Sequence, residues 1–114
     1  MSEDTISFAD FEKVDIRAGR IVDVQDFPEA RKPAFKIWVD FGPALGVKKT
    51  SAQVTKNYTH DTLKGRLVAA VVNFPPRQIG KYMSEILILG FPDENGEVTL
   101  IAPDKDVPLG GRLY

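Results

Sequence analysis

Residues 67–80, LVAAVV followed by NFPPRQIG, constrain this chain more than any other stretch. Six apolar residues in succession, rich in valine, read as a strand buried on both faces. Pro75 and Pro76 forbid any continuation of the ladder, because neither has an N–H to donate. Each also fixes its own φ and restricts the residue before it. Phe74 and Arg77 are therefore expected on a rigid corner at the end of an interior strand. A ring and a guanidinium pinned side by side suit a binding surface. The competing expectation is a stiff loop that tucks Phe74 into the core.

Around this strand the pattern is one of short alternating runs. Ser7 and Asp10 have the spacing of a capping box, which predicts a short helical turn that docks through Phe8 and Phe11. From Val14 onward, Val14, Ile16, Ala18, Val22 and Val24 share one face, and Gly19 among them suggests a bulge or sharp coil. After the loop 27–33, bounded by prolines, Phe35, Ile37, Val39 and Phe41 alternate with Lys36, Trp38 and Asp40. Trp38 thus falls on the outer face, where it is either covered by another segment or part of a contact surface. A third strand is expected over 48–53 and a helix over 55–65, capped by Thr55 or Thr59 and ended by Gly65. Residues 84–90 read as a further strand, and Asn95-Gly96 as a tight hairpin turn into 98–102. The tail, with Pro103, Pro108 and Gly110-Gly111, is expected to pack without regular structure.

Five or six short strands with one helix between the third and fourth is the arrangement of an all-β OB-fold barrel. The 114 residues suffice for one such domain, taken as 1–114. In a barrel this small each strand should wet one face, yet 67–72 and 86–89 are apolar on both. Symmetric self-association is the expected cover. Composition adds a location and a charge pattern. There is no cysteine, no basic-then-apolar N-terminal region, and no apolar run near the ~20 residues that span a bilayer, so a cytoplasmic protein is expected. The net charge of −1 hides segregation. Residues 30–84 hold ten bases against two acids, while 1–29 hold eight acids against three bases and 85–114 six acids against two. The basic middle, with Lys36, Lys48, Lys49, Lys56, Arg77 and Lys81, is a candidate RNA-binding patch.

Catalytic constellations are missing. GPALGVKKT at 42–50 fails as a phosphate loop, because three residues separate its glycines and Val47 precedes the lysine. The single histidine, His60, lies among polar neighbours, and Ser51 and Ser84 have no base nearby in sequence. The chain reads as a binding module that needs no cofactor or metal, and not as an enzyme.

Phe11-x-x-Val14-Asp15-Ile16-Arg17-x-Gly19-x-Ile21 closely resembles the opening of the tRNA-binding OB domain family. Pro28-x-Ala30, Val39-Asp40-x-Gly42, Asn73 and Ser84 continue the resemblance over nearly the whole chain. Residues 10–17, 27–31, Ser51-Ala-Gln53 and 72–77 resemble most sharply the bacterial protein-export chaperones of that family. Where RNA-binding relatives usually carry Ser-x-Gly-Met and His-Pro, this chain has Ser84-Glu85-Ile86-Leu87 and Phe27-Pro28. The resemblance implies a homodimer that binds unfolded or pre-secretory polypeptide without ATP and is linked to the export motor SecA, with tRNA binding the alternative. For a peptide-binding chaperone the expected site has Phe74 and Pro76 as apolar surface, charge from Arg77, Arg17 and Lys56, and Asn73, Ser51 and Gln53 beside them.

Overall fold

The computed structural model describes residues 4–114. Helix α1 (Phe8–Glu12) opens on the expected capping box, Ser7 Oγ accepting the Asp10 N–H and the Asp10 carboxylate accepting that of Ser7. Strands β1 (Ile16–Asp26), β2 (Phe35–Asp40) and β3 (Val47–Ala52) form an antiparallel meander. One turn of helix, α2 (His60–Leu63), leads to β4 (Leu67–Val71). Then come β5 (Arg77–Ile79), β6 (Tyr82–Ser84), β7 (Leu87–Ile88), β8 (Gly90–Pro92) and β9 (Val98–Leu100).

The main sheet has the order β3-β2-β1-β4-β7. It curls nearly shut because the chain entering β7 returns to β3. The Glu85 N–H donates to the Lys49 carbonyl and Thr50 Oγ1 to that of Ile86, both at 2.8 Å. The result is the five-stranded antiparallel OB-fold barrel that the sequence implies. Ile21, Ile37, Val39, Phe41, Leu63, Val68 and Ala70 fill it, all fully buried or nearly so.

Closure depends on β1, which pairs with β4 over residues 16–20 and with β2 over 20–26. Gly19 sits where the strand changes partners, and a Cβ there would lie 2.5 Å from Val39 Cγ1. It is a close approach and the coil of the strand, while the bulge itself falls at Val22, between Ile21 and Asp23. The extra residue reverses the alternation. Ile21 and Val24 point inward and Val22 outward, so Val22 and Val24 do not share a face.

Three other elements differ from the sequence reading. The helix is confined to His60–Leu63, because residues 55–57 form a turn and Tyr58 packs against the core, its hydroxyl accepting the Leu100 N–H at 2.9 Å. Its cap is Thr59, and Gly65 ends the segment at φ +88°. Residues 77–84 form a hairpin turning at Gly80 and Lys81, so the run 84–90 divides between β6, β7 and β8. Gly90 lets β9 cross close to β8, since a Cβ there would meet Val98 at 2.5 Å. The hairpin turn at Asn95-Gly96 forms as expected, with the Asp93 carboxylate accepting the N–H groups of Asn95 and Glu97. Lastly, the tail forms a ladder. Ala18 donates to Gly111, Gly110 to Ala18 and Leu113 to Ile16, along the part of β1 that β2 does not reach. Among the described residues no helix is long and apolar enough to cross a membrane.

Candidate binding surface

Directly paired residues of an antiparallel sheet share a face. The pairs Lys36 with Ser51 and Trp38 with Lys49 therefore line the outer face of β2 and β3, with Asp40 beyond them. Asp23 and Gln25 of β1 oppose Trp38 and Lys36 on the same face. The β5–β6 hairpin covers this surface. Tyr82 is buried, with its hydroxyl donating to the Thr50 carbonyl at 3.1 Å. Its ring meets Phe27 at 5.3 Å and Trp38 edge-on at 6.3 Å. Lys36 Nζ lies 5.2 Å from the Tyr82 centroid and 5.0 Å from that of Phe27, and Lys49 Nζ lies 5.1 Å from Tyr82. Burial, reinforced by the Glu85 charge, pushes the Tyr82 phenol up to about 12, so it stays a donor well into the alkaline range. Ser84 completes the seam, its Oγ 2.7 Å from Thr50 Oγ1 and 3.4 Å from the Ser51 amide.

The hairpin connects this seam to the Phe74 corner. Phe74 is 52% exposed, so it is a surface ring and has no place in the core. Pro75, Pro76 and Arg77 are exposed beside it, and Arg77 pairs with Ser84, which reaches Ser51. Phe74, Pro76 and Arg77 are therefore joined to Ser51 through the Arg77–Ser84 pair. Gln53 and Lys56 are exposed just beyond β3. Two other candidates have structural occupations. The Asn73 side chain accepts the Asp15 N–H at 3.0 Å and donates to the Lys13 carbonyl at 2.7 Å, tying α1 to the barrel. Arg17 lies by the tail, bound to Asp15 at 2.6 Å and to the Gly110 carbonyl at 2.9 Å. The Arg17 hydrogen bond, helped by the Arg17 and Arg112 charges, holds the Asp15 carboxyl below its usual range against the effect of burial.

Of the basic candidates, the structure brings together Lys36 and Lys49. Lys48 pairs with Val39 and so lies on the opposite side of β3 from Lys49, Lys81 is at the hairpin tip and Lys56 stands apart. Phe27 and Tyr82 were not singled out by sequence reasoning. Tyr82 and Ser84 alternate with Met83, a signal for a short strand that the apolar run after them obscured. His60 holds Asp26 at 2.8 Å and packs edge-on against Phe35, which makes it a tether between α2 and β1.

A second outer face, on β1 and β4, has another character. Between these strands and the tail lies a groove of about 510 Å³ lined chiefly by apolar residues, among them Ile16, Ala18, Ala69, Ile101, Val107 and Leu113. Residues 68–71 of the doubly apolar β4 are thus already buried within the chain, and what stays open beside them is the apolar groove.

Residues 16–112 match the family described as "Putative tRNA binding domain". Among solved structures, the CsaA chaperone protein from Picrophilus torridus has a TM-score of 0.90 and 46% identity, covering 96% of this chain and 100% of that one. Chaperone CsaA from Bacillus anthracis str. Ames has a TM-score of 0.90 and 41% identity, covering 96% and 99%. Among curated proteins, the methionine–tRNA ligase of Thermococcus onnurineus is 38% identical over 108 residues, which are 95% of this chain and 14% of that protein. The chain spans about a seventh of the length of the curated relatives it matches.

Proposed function

The chain belongs to the tRNA-binding domain family, and on that premise we propose that it is a homodimeric, ATP-independent chaperone that captures unfolded or pre-secretory polypeptide in the cytoplasm and serves the SecA export route. The observation that carries this reading is Phe74. A ring 52% exposed, stiffened by Pro75 and Pro76 and followed by Arg77, loses little conformational freedom when it binds. The likeness to two CsaA chaperones over 96% of this chain supports it. Phe74 and Pro76 supply the apolar contact, Arg77 and Lys56 the surrounding charge, and Ser51 and Gln53 polar groups at its edge. Arg17 and Asn73 serve the site at one remove, by fixing the tail and α1 against the strands from which it rises.

The test is Phe74→Ala. Capture of an unfolded polypeptide should weaken by about 2 kcal/mol or more, the usual hot-spot range, with little change in the thermal melt. A core ring cut to alanine would instead lose about 3–5 kcal/mol of folding stability. A normal melt with undiminished capture would overturn the reading.

A second reading, an RNA-binding protein, is favoured by the family description and by the paired lysines of the β2–β3 face. If tRNA binds this face, Lys36→Ala with Lys49→Ala should weaken it irrespective of sequence and flatten the salt dependence by roughly 1–2 units.

A further inference from the structure

We infer that Lys36 and Lys49, carried on the Tyr82 ring, form a subsite for the carboxylate of an acidic client segment; the inference rests on the polypeptide-binding reading. The two lysines come from adjacent strands and converge on one ring, with centroid distances of 5.2 and 5.1 Å. An aromatic face holds a cation in place without neutralising it. Among the described residues, neither ammonium has a carboxylate within ion-pair distance. The acids nearby are engaged by backbone N–H groups. Asp23 accepts from Val24 at 3.0 Å, Asp40 from Gly42 at 2.9 Å and Glu85 from Lys49 itself at 2.9 Å. The surface therefore presents two positioned ammonium groups, neither held in an ion pair, beside the Phe27 and Trp38 rings, with the charged carboxylates of Asp23, Asp40 and Glu85 around them.

The extent of that charge selects the ligand. Asp23 lies opposite Trp38, and Asp40 lies on the same face of β2, so carboxylates bound the positive island. A nucleic acid carries a charge at every phosphate and would run past one of them. A single carboxylate fits within the island, and the aromatic rings beside it suit an apolar neighbour in the same polypeptide. The anion is an Asp or Glu side chain or a chain terminus, which share this chemistry.

Trp38 is the only tryptophan, next to both lysines on this face, so its fluorescence reports occupancy. The full chain is titrated with tryptophan-free unfolded peptides that differ only in a central Glu or Gln, each with a free or amidated C-terminus. One carboxylate should tighten binding about five- to tenfold at low ionic strength. If Glu→Gln removes the gain the anion is a side chain, and if amidation removes it the anion is the terminus. Lys36→Met with Lys49→Met keeps the aliphatic stems on Tyr82; it should abolish the gain and leave the affinity for the Gln, amidated peptide unchanged. Lys36→Arg with Lys49→Arg should restore it. The comparison of peptides on the unaltered protein needs no variant to fold. Equal affinity for all four peptides would overturn the subsite and leave the chaperone reading standing, whereas no binding of any peptide would overturn both. Binding of oligouridylate that the Met variant abolishes and peptides do not displace would assign the lysines to RNA and overturn the inference.

Discussion

The β2–β3 face is covered by a hairpin whose Tyr82 brings a ring, a hydroxyl and two lysine partners, whereas the β1–β4 face is covered by a tail that brings backbone hydrogen bonds and leaves an apolar groove of about 510 Å³. Both covers come from the same chain and lie on the same barrel. The hairpin adds polar side chains that face solvent, so its surface can discriminate among charged ligands. The tail satisfies the open edge of β1, and the charges beside it are tied to one another. Asp15 holds Arg17 at 2.6 Å and Arg112 at 3.6 Å, and Arg112 also donates to the Glu12 carbonyl. What remains on that side is hydrophobic surface, which another apolar face can cover and a charged ligand cannot use.

The largest effect should come from placing charge in the groove. Val107 and Leu113 are 38% and 43% exposed at its edge, so Val107→Glu with Leu113→Glu should leave the barrel folded. The pair should convert a dimer burying about 1,200–2,000 Å² into a monomer, as read by sedimentation. A monodisperse monomer of the unaltered protein at micromolar concentration would break the contrast between the faces.

Tyr82→Phe sharpens the contrast from the other side. It keeps the ring under Lys36 and Lys49 but removes the donor to the Thr50 carbonyl, and should cost about 1 kcal/mol in urea unfolding. It should also change the alkaline limb. Because the folded phenol is raised from 10.0 to about 12, its contribution is fully present below pH 10.0 and is lost as pH rises through about 12. The Phe variant should lack that part of the decline.

The smallest effect should be at Asp15→Asn. The folded carboxyl lies below its usual 3.8, so its stabilisation is present above that pH and disappears as pH falls through the lower folded value. The acid limb of the stability curve should be shallower in the variant, measured by urea midpoints between roughly pH 6 and pH 2. An unchanged limb would mean that the Arg17–Asp15–Arg112 cluster contributes little to holding the tail.

Much of the barrel could be read directly. Phe35, Ile37, Val39 and Phe41 alternate inward because β2 has no bulge, and the Ser7 capping box and the Asn95-Gly96 turn are decided by residues a few positions apart. The reading failed where an element depends on a distant partner. The β5–β6 hairpin has little apolar alternation of its own and is held by the contacts of Tyr82 and Ser84 with β2 and β3. The tail is ordered by the stretch of β1 that β2 leaves unpaired. Asn73 and Arg17 carry side chains suited to binding, yet their hydrogen bonds go to α1 and the tail, and only the fold brings those segments within reach.

Residue pattern alone specified an all-β barrel with a buried central strand and a stiff corner at its end, but left open whether the Phe74 ring there is exposed or packed in the core. Those features follow from side-chain period and from the backbone limits of proline, which act within a few residues. Only the tertiary structure decided which cations would meet. Lys36 and Lys49 are separated along the chain and join through the β2–β3 register, and the ring that holds them arrives from a hairpin beyond β4. Lys48, adjacent to Lys49, is turned to the other side of the strand. Charge is written in the sequence, but its concentration in space depends on register and closure, which no local pattern specifies.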